Sequence, residues 1–112
     1  MAFSVTSEQT DGIAKLTLTG ELDAASAGEF RSAVEAAAEG NPEHLVLIMD
    51  DLTFMASAGL RVLVFAKQKM PSNVDLYIVG AHDAVKETIT MTGFHYSCTM
   101  LDTYDADAIG AA

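Results

Sequence analysis

The chain has 112 residues, a length that suits one compact domain with a single core and is too short for two. Sixteen Asp and Glu residues against six Lys and Arg residues give a formal net charge of −10. Such an acidic chain repels DNA, RNA and anionic membrane surfaces, so a protein is the expected partner.

Membrane insertion, export and metal binding are all disfavoured by the sequence. No apolar stretch approaches the roughly 20 residues that cross a bilayer, and the N-terminus lacks the basic start of a signal peptide. The single cysteine, Cys98, cannot form an internal disulfide and has no partner at zinc-ligand spacing. We therefore expect a cytoplasmic protein without cofactor or metal, in which Cys98 is a small buried apolar residue.

An opening β-hairpin and a helix are predicted for the first third of the chain. Apolar and polar residues alternate in 3–5 and 14–18, on either side of the turn signal Thr10-Asp11-Gly12. Asp23 is then expected to cap a helix that runs to about Glu39. The buried stripe of this helix should comprise Phe30, Val34 and Ala37.

Strands and helices alternate through the rest of the chain. We expect strands at 45–49, at 74–79 and around 98–101. We expect helices from 57 to about 70, from 82 or 83 to about 91, where Gly93 terminates the helix, and a last helical turn near 105–109. The unbroken apolar run 45–49 is typical of a central strand covered on both faces. The pattern predicts an α/β fold, in which a mixed sheet of four to five strands packs against about four helices.

The helix that begins near residue 57 is more apolar than a core-facing stripe requires. Its apolar residues are Leu60, Val62, Leu63, Val64, Phe65 and Ala66. Part of this helix should therefore be exposed apolar surface of the kind that protein partners cover. The same helix carries Arg61, Lys67 and Lys69, half of the chain's basic residues.

Ser57 lies where the central strand gives way to this helix. Unpaired N–H groups and the helix dipole at such a junction stabilise an oxyanion or a phosphate. One interpretation makes Ser57 only the N-cap residue of the helix. Another makes it the nucleophile of a small serine hydrolase, because Gly59 holds the last position of a G-x-S-x-G elbow. Met55 replaces the first glycine of that elbow, however, and no pattern places His82 or His95 beside the serine.

Two further sets of residues belong to types that can bind metal ions. The pair Asp50-Asp51 after an apolar strand resembles the acids that hold Mg²⁺ in receiver domains. It follows the third strand rather than the first, so we interpret it as loop charge and turn chemistry. The three histidines offer no i, i+4 metal pair, and no metal site is expected.

Three segments resemble motifs of the STAS family, and in particular of its bacterial anti-sigma factor antagonists. These are Gly20-Glu21-Leu22-Asp23, residues 51–60 and Met91-Thr92-Gly93-Phe94, and the likeness extends over nearly the whole chain. The family pattern D-S-[ST]-G-[LIV] aligns its phosphorylated serine with Ser57. Ala56 stands where the family usually has Asp, and Ala58 stands where it has Ser or Thr. Because alanine stands at position 58, Ser57 has the only hydroxyl of residues 56–60, which match this pattern.

The resemblance implies a STAS domain at 1–112 that is a regulatory protein rather than an enzyme. It would bind an anti-sigma factor serine kinase, lose that contact when Ser57 is phosphorylated, and regain it through a serine phosphatase. The expected docking residues are Glu21, Asp23, Phe54, Ala56, Ala58, Gly59, Leu60 and Arg61. Two alternatives stay open: a STAS scaffold for another partner, such as a lipid-transport or signalling complex, and the small serine hydrolase.

Overall fold

The computed structural model describes residues 3–71, 73–105 and 109. Its five strands are β1 (Ser4–Thr10), β2 (Ile13–Leu22), β3 (His44–Met55), β4 (Asp75–Val79) and β5 (Thr99–Leu101). They form one sheet in the order β1-β2-β3-β4-β5, with β1 antiparallel to β2 and every other pair parallel. The predicted α/β class and mixed sheet are confirmed.

Three α-helices connect the parallel strands. They are α1 (Ala27–Glu39), α2 (Ser57–Lys69) and α3 (Asp83–Met91), and a 3₁₀ helix (Phe94–Ser97) follows α3. The prediction of about four helices is too high for the residues that the structure describes, among which there are three α-helices, and the sequence did not predict the 3₁₀ helix. The last helical turn expected near 105–109 lies largely outside the described residues.

All three α-helices pack against the same face of the sheet. From β2 to β5, each strand lies next to the one before it and always on the same side of it. Because such crossover connections are right-handed, all three helices then lie on one face of the sheet. The core between sheet and helices is built from alternate strand residues and from the inner faces of the helices. The stripe predicted for α1 is confirmed, since Phe30, Val34 and Ala37 are all buried.

The central strand, β3, is covered on both faces, as the run 45–49 predicts. Leu45, Leu47 and Met49 belong to the core beneath the helices. Val46 belongs to a second cluster on the opposite face, which also contains Tyr77 and Ile109. A strand that is buried on both sides has no need for polar residues at alternate positions, which explains the unbroken apolar run.

The strands on either side of the site are longer than predicted. β3 continues to Met55 rather than ending near residue 49, and β2 continues to Leu22. Asp50 and Asp51, interpreted above as loop charges, are therefore exposed residues of β3. The reason is tertiary: the end of β2 supplies pairing partners for the end of β3, with irregular register after Thr17 and after Gly20.

The ends of α2 and α3 agree with the ends that the sequence predicts. Met70, the residue after α2, is extended and precedes Pro71, as the steric demand of proline requires. His82 is the N-cap residue of α3, and Gly93 follows the C-cap with a φ of 79°, the left-handed conformation that ends many helices. Among the described residues, none of the helices has the length and apolar character that crossing a bilayer requires.

Cys98 is partly rather than fully buried, between the 3₁₀ helix and β5. Its burial raises the pKa of the thiol to about 11, against a smaller lowering by Lys67. At pH 8 only about one thiol in a thousand is then the reactive thiolate, compared with roughly a quarter for an ordinary cysteine.

We expect iodoacetamide to alkylate Cys98 in the folded chain at least about tenfold more slowly at pH 8 than in the same chain unfolded in urea. The rate in the folded chain should rise steeply between pH 8 and pH 10, as the thiolate population grows. Mass spectrometry of quenched samples measures both rates. Equal rates in the folded and unfolded chain would contradict the raised pKa.

Candidate functional site

The predicted site residues lie at the edge of the sheet where β2 and β3 end. In the parallel register Glu21 is opposite Phe54. One step further along, the backbone N–H of Ala56 donates to the carbonyl oxygen of Leu22 over 2.8 Å. This pairing brings together the motifs at 20–23 and 51–60, which are about 30 residues apart in the chain.

Ser57 is the first residue of α2, and its side chain is exposed. The N-cap residue is Ala56, whose side chain has no hydrogen-bonding group, so no side chain caps the helix. The interpretation of Ser57 as the N-cap is therefore wrong, because the helix begins at Ser57 itself, one residue earlier than that role requires. Within the described part of the chain, the Ser57 hydroxyl has no hydrogen-bond partner.

The first turn of α2 suits a negative charge. The N–H groups of Gly59 and Leu60 both donate to the carbonyl oxygen of Ala56, over 3.0 and 3.2 Å. The N–H groups of Ser57 and Ala58 precede them and have no helical acceptor. The first turn also contains no acidic residue that would neutralise the positive end of the helix dipole. A phosphate attached to Ser57 would meet these groups without disturbing the fold.

Asp23 shapes the turn between β2 and α1 instead of capping the helix. Its carboxylate oxygen accepts the N–H of Ser26, and its own N–H donates to the Ser26 hydroxyl oxygen, over 3.0 and 2.9 Å. The predicted cap is thus wrong: this reciprocal pair closes a turn first, and α1 begins at Ala27 after the N-cap Ser26. The hydrogen bonds from the Ser26 hydroxyl and N–H lower the pKa of the Asp23 carboxyl, which keeps it ionised at this edge of the sheet.

Gly59 lies beneath the surface rather than on it. A Cβ atom at this position would be 2.7 Å from the side chain of Leu22, which is itself fully buried. The absence of a side chain therefore lets α2 approach the end of β2 closely. Gly59 therefore supports the site through close backbone packing, and it is too buried to contact a docked partner.

The exposed residues around Ser57 combine apolar and basic side chains. Phe54 is 47% exposed, which is unusual for a phenylalanine, and Leu60 is partly exposed. Ala56 and Ala58 are partly exposed small residues on either side of the serine, and Arg61 is exposed one turn further along α2. Seven of the eight predicted docking residues thus share this edge of the molecule with Ser57, at its surface.

A groove between α1 and α2 adjoins this edge and was not identified from the sequence. It has a volume of about 270 Å³, and Gly28 and Arg31 of α1 line it opposite Ala58 and Arg61 of α2. The Arg31 guanidinium lies over the ring of Phe65, 4.1 Å from its centroid. The i, i+3 spacing of Gly28 and Arg31 places them on one helix face, but only the packing of α1 on α2 shows which residues they meet.

The geometry does not support a serine hydrolase. A nucleophilic serine needs a base within hydrogen-bond reach, and none of the described residues accepts a hydrogen bond from Ser57. The His82 ring instead contacts the backbone carbonyl of Asp50, and His44 lies at the other end of β3. Among the described residues, no cluster of His, Cys, Asp and Glu has the arrangement of a metal site.

Comparison with known proteins identifies the family to which the chain belongs. The STAS domain profile matches residues 4–106 of the chain. Anti-sigma-F factor antagonist RsfB of Mycobacterium tuberculosis is 24% identical over 102 residues, which are 91% of this chain and 84% of RsfB.

Solved structures agree with that assignment. The crystal structure of an anti-sigma factor antagonist from Mycobacterium paratuberculosis has a TM-score of 0.89 at 25% identity, covering 98% of this chain and 93% of that chain. The cell fate determinant SpoIIAA of Bacillus, in its phosphorylated form, has the same fold, with a TM-score of 0.72 at 18% identity over 98% of each chain. The resemblance drawn from the three sequence motifs is confirmed, and the chain belongs to the STAS-domain family.

Proposed function

We propose that this STAS domain is an anti-sigma factor antagonist that binds an anti-sigma factor serine kinase through the edge around Ser57. The observation that carries the proposal is the exposed Ser57 hydroxyl at an uncapped helix start, beside the exposed ring of Phe54. A kinase needs an accessible acceptor hydroxyl, and a protein interface needs apolar surface to bury. The names of RsfB and of the Mycobacterium paratuberculosis protein support the same function.

Phosphorylation of Ser57 is the proposed switch. The phosphate would add about 1.5 to 2 negative charges at neutral pH in the middle of a surface that must lose its water when the partner docks. The first turn of α2 would hold the phosphate, so the fold would stay intact and only the interface would be lost. A serine phosphatase would then restore binding. The domain itself carries out no chemistry in this scheme, and its place of action is the cytoplasm.

The proposal is tested by mixing the purified chain with its cognate anti-sigma factor kinase. Size-exclusion chromatography should show a complex in the presence of ADP. With ATP, mass spectrometry should find one phosphate, located on Ser57, and the complex should dissociate. A chain that forms no complex, or that gains its phosphate elsewhere, would contradict the proposal.

Thr53 provides a matched control for the site of phosphorylation. It is the nearest other hydroxyl in this segment, and its Oγ1 donates to the carbonyl oxygen of Gly20 over 3.1 Å. Because this hydroxyl is already engaged, Thr53→Val should leave the rate of phosphate transfer to Ser57 unchanged. A large loss of transfer in Thr53→Val would instead place the acceptor at Thr53.

A further inference from the structure

A second and larger groove lies on the other side of α2, against the 3₁₀ helix. It has a volume of about 540 Å³ and is open to solvent. On α2 it is lined by Leu60, Val64 and Lys67, which follow the spacing i, i+4, i+7 and so form one stripe along the helix. This stripe is about 10 Å long, or two helical turns. Phe94 of the 3₁₀ helix lines the opposite side.

Apolar surface is unusually exposed in and beside this groove. Val64 in its wall is 42% exposed. Met91 and Tyr96, on the segment that forms the far side, are 78% and 86% exposed. A smaller depression of about 210 Å³, lined by Tyr96, continues from the groove and shares Lys67 with it. Exposed apolar side chains on both sides of a groove favour a ligand that covers them.

The charges of the groove are opposite to those of the molecule. Arg61 and Lys67 are its two charged lining residues, and no Asp or Glu lines it. Neither side chain forms an ion pair with any described residue. On a chain with sixteen acidic and six basic residues, two cations that line one groove beside apolar side chains favour an acidic ligand.

We propose that this groove is a docking site for an acidic amphipathic α-helix of a partner protein. The apolar face of that helix would pack on Leu60, Val64 and Phe94, and carboxylates on its flanks would pair with Arg61 and Lys67. An open channel two turns long matches a helix laid lengthwise, whereas a lone acyl chain is better buried in a closed cavity. This proposal goes beyond the anti-sigma function and does not rest on it, and the groove shares Leu60 and Arg61 with the edge around Ser57.

The test uses synthetic 15-residue peptides and the ¹⁵N-labelled chain. One peptide carries Leu at i, i+4 and i+7 with Glu on both flanks, and its matched control has Lys in place of every Glu. Titration should shift the amide signals of residues 60–67 and 94–97, with a micromolar Kd for the Glu peptide and at least tenfold weaker binding of the Lys peptide. Equal affinities for the two peptides, or shifts confined to other surfaces, would overturn the proposal.

Charge reversal in the chain distinguishes docking in the groove from general attraction. The double variant Arg61→Glu with Lys67→Glu should bind the Glu peptide at least tenfold more weakly and should gain affinity for the Lys peptide. Lys69→Glu with Lys86→Glu makes the same change in net charge at exposed positions outside the groove, and it should keep at least a third of the original affinity. Equal losses in both double variants would refute the groove as the binding site.

A small amphiphile provides the last comparison. Dodecanoate supplies one carboxylate and an apolar chain without a helix, and we expect it to cause no saturable shifts at residues 60–67. If dodecanoate saturates the groove while the Glu peptide does not bind, the ligand is a small anion and the proposal is wrong.

Discussion

Replacing Ser57 by aspartate is expected to weaken binding of the anti-sigma factor kinase by roughly 10²- to 10³-fold. Docking would remove water from the added carboxylate, which costs about 3–4 kcal/mol. Ser57→Ala removes only a hydroxyl that has no partner among the described residues, so it should bind within about threefold of the unmodified chain. Isothermal titration calorimetry with ADP-bound kinase measures both affinities.

The stability of the Ser57→Asp variant separates a lost interface from a lost fold. An acidic residue in the first turn of α2, which has none now, should stabilise the helix by about 0.3–1 kcal/mol. The variant should therefore unfold at the same or a slightly higher temperature while its binding falls. Ser7→Asp makes the same charge change on β1, roughly 20 Å along the sheet from the site, and should bind normally. Comparable losses in Ser7→Asp and Ser57→Asp would refute a local switch.

Gly59→Ala is expected to destabilise the fold by about 1–3 kcal/mol, although alanine is the better helix former. The added methyl group would come within 2.7 Å of Leu22 and 3.2 Å of Met55, both of which are buried. The start of α2 would have to move away from the end of β2, and Ser57 would move with it. Thermal unfolding followed by circular dichroism should show Tm lower by roughly 4–8 °C or more.

Gly28→Ala is the matched control for this substitution. Gly28 is an exposed residue near the start of α1, and nothing lies within 4 Å of the position its Cβ would take. The same chemical change should therefore leave the fold unaffected or stabilise it by up to about 1 kcal/mol. Opposite signs in the two variants would show that the close approach at Gly59, rather than helix propensity, decides the result. A stabilised Gly59→Ala variant would contradict the packing described here.

Several features of the fold follow from local sequence signals alone. The Thr10-Asp11-Gly12 turn, the unbroken run 45–49 and the Pro71 stop identify a hairpin, a doubly covered strand and the end of α2. Each signal depends on the conformational preferences of a few adjacent residues, or on a periodicity within one element. The position of Ser57 at the strand-to-helix junction was predicted for the same reason.

Other features depend on contacts between elements and could not be predicted. The extension of β3 through Asp50 and Asp51 requires the end of β2 as a pairing partner. The start of α1 depends on whether Asp23 caps a helix or bonds to Ser26 in a turn, and both roles suit an aspartate. The position of Ala56 as N-cap also depends on a contact between elements, because its backbone N–H donates to the carbonyl oxygen of Leu22.

By itself the sequence determined the class of fold, the element that carries Ser57 and a net charge of −10. Only the tertiary structure decided that Gly59 lies beneath the site and that two grooves flank α2. It also decided that Arg61 and Lys67 face an apolar channel beside Phe94. The physical reason is that periodicity and turn chemistry act within a few residues, whereas a groove exists only where side chains from distant segments pack together.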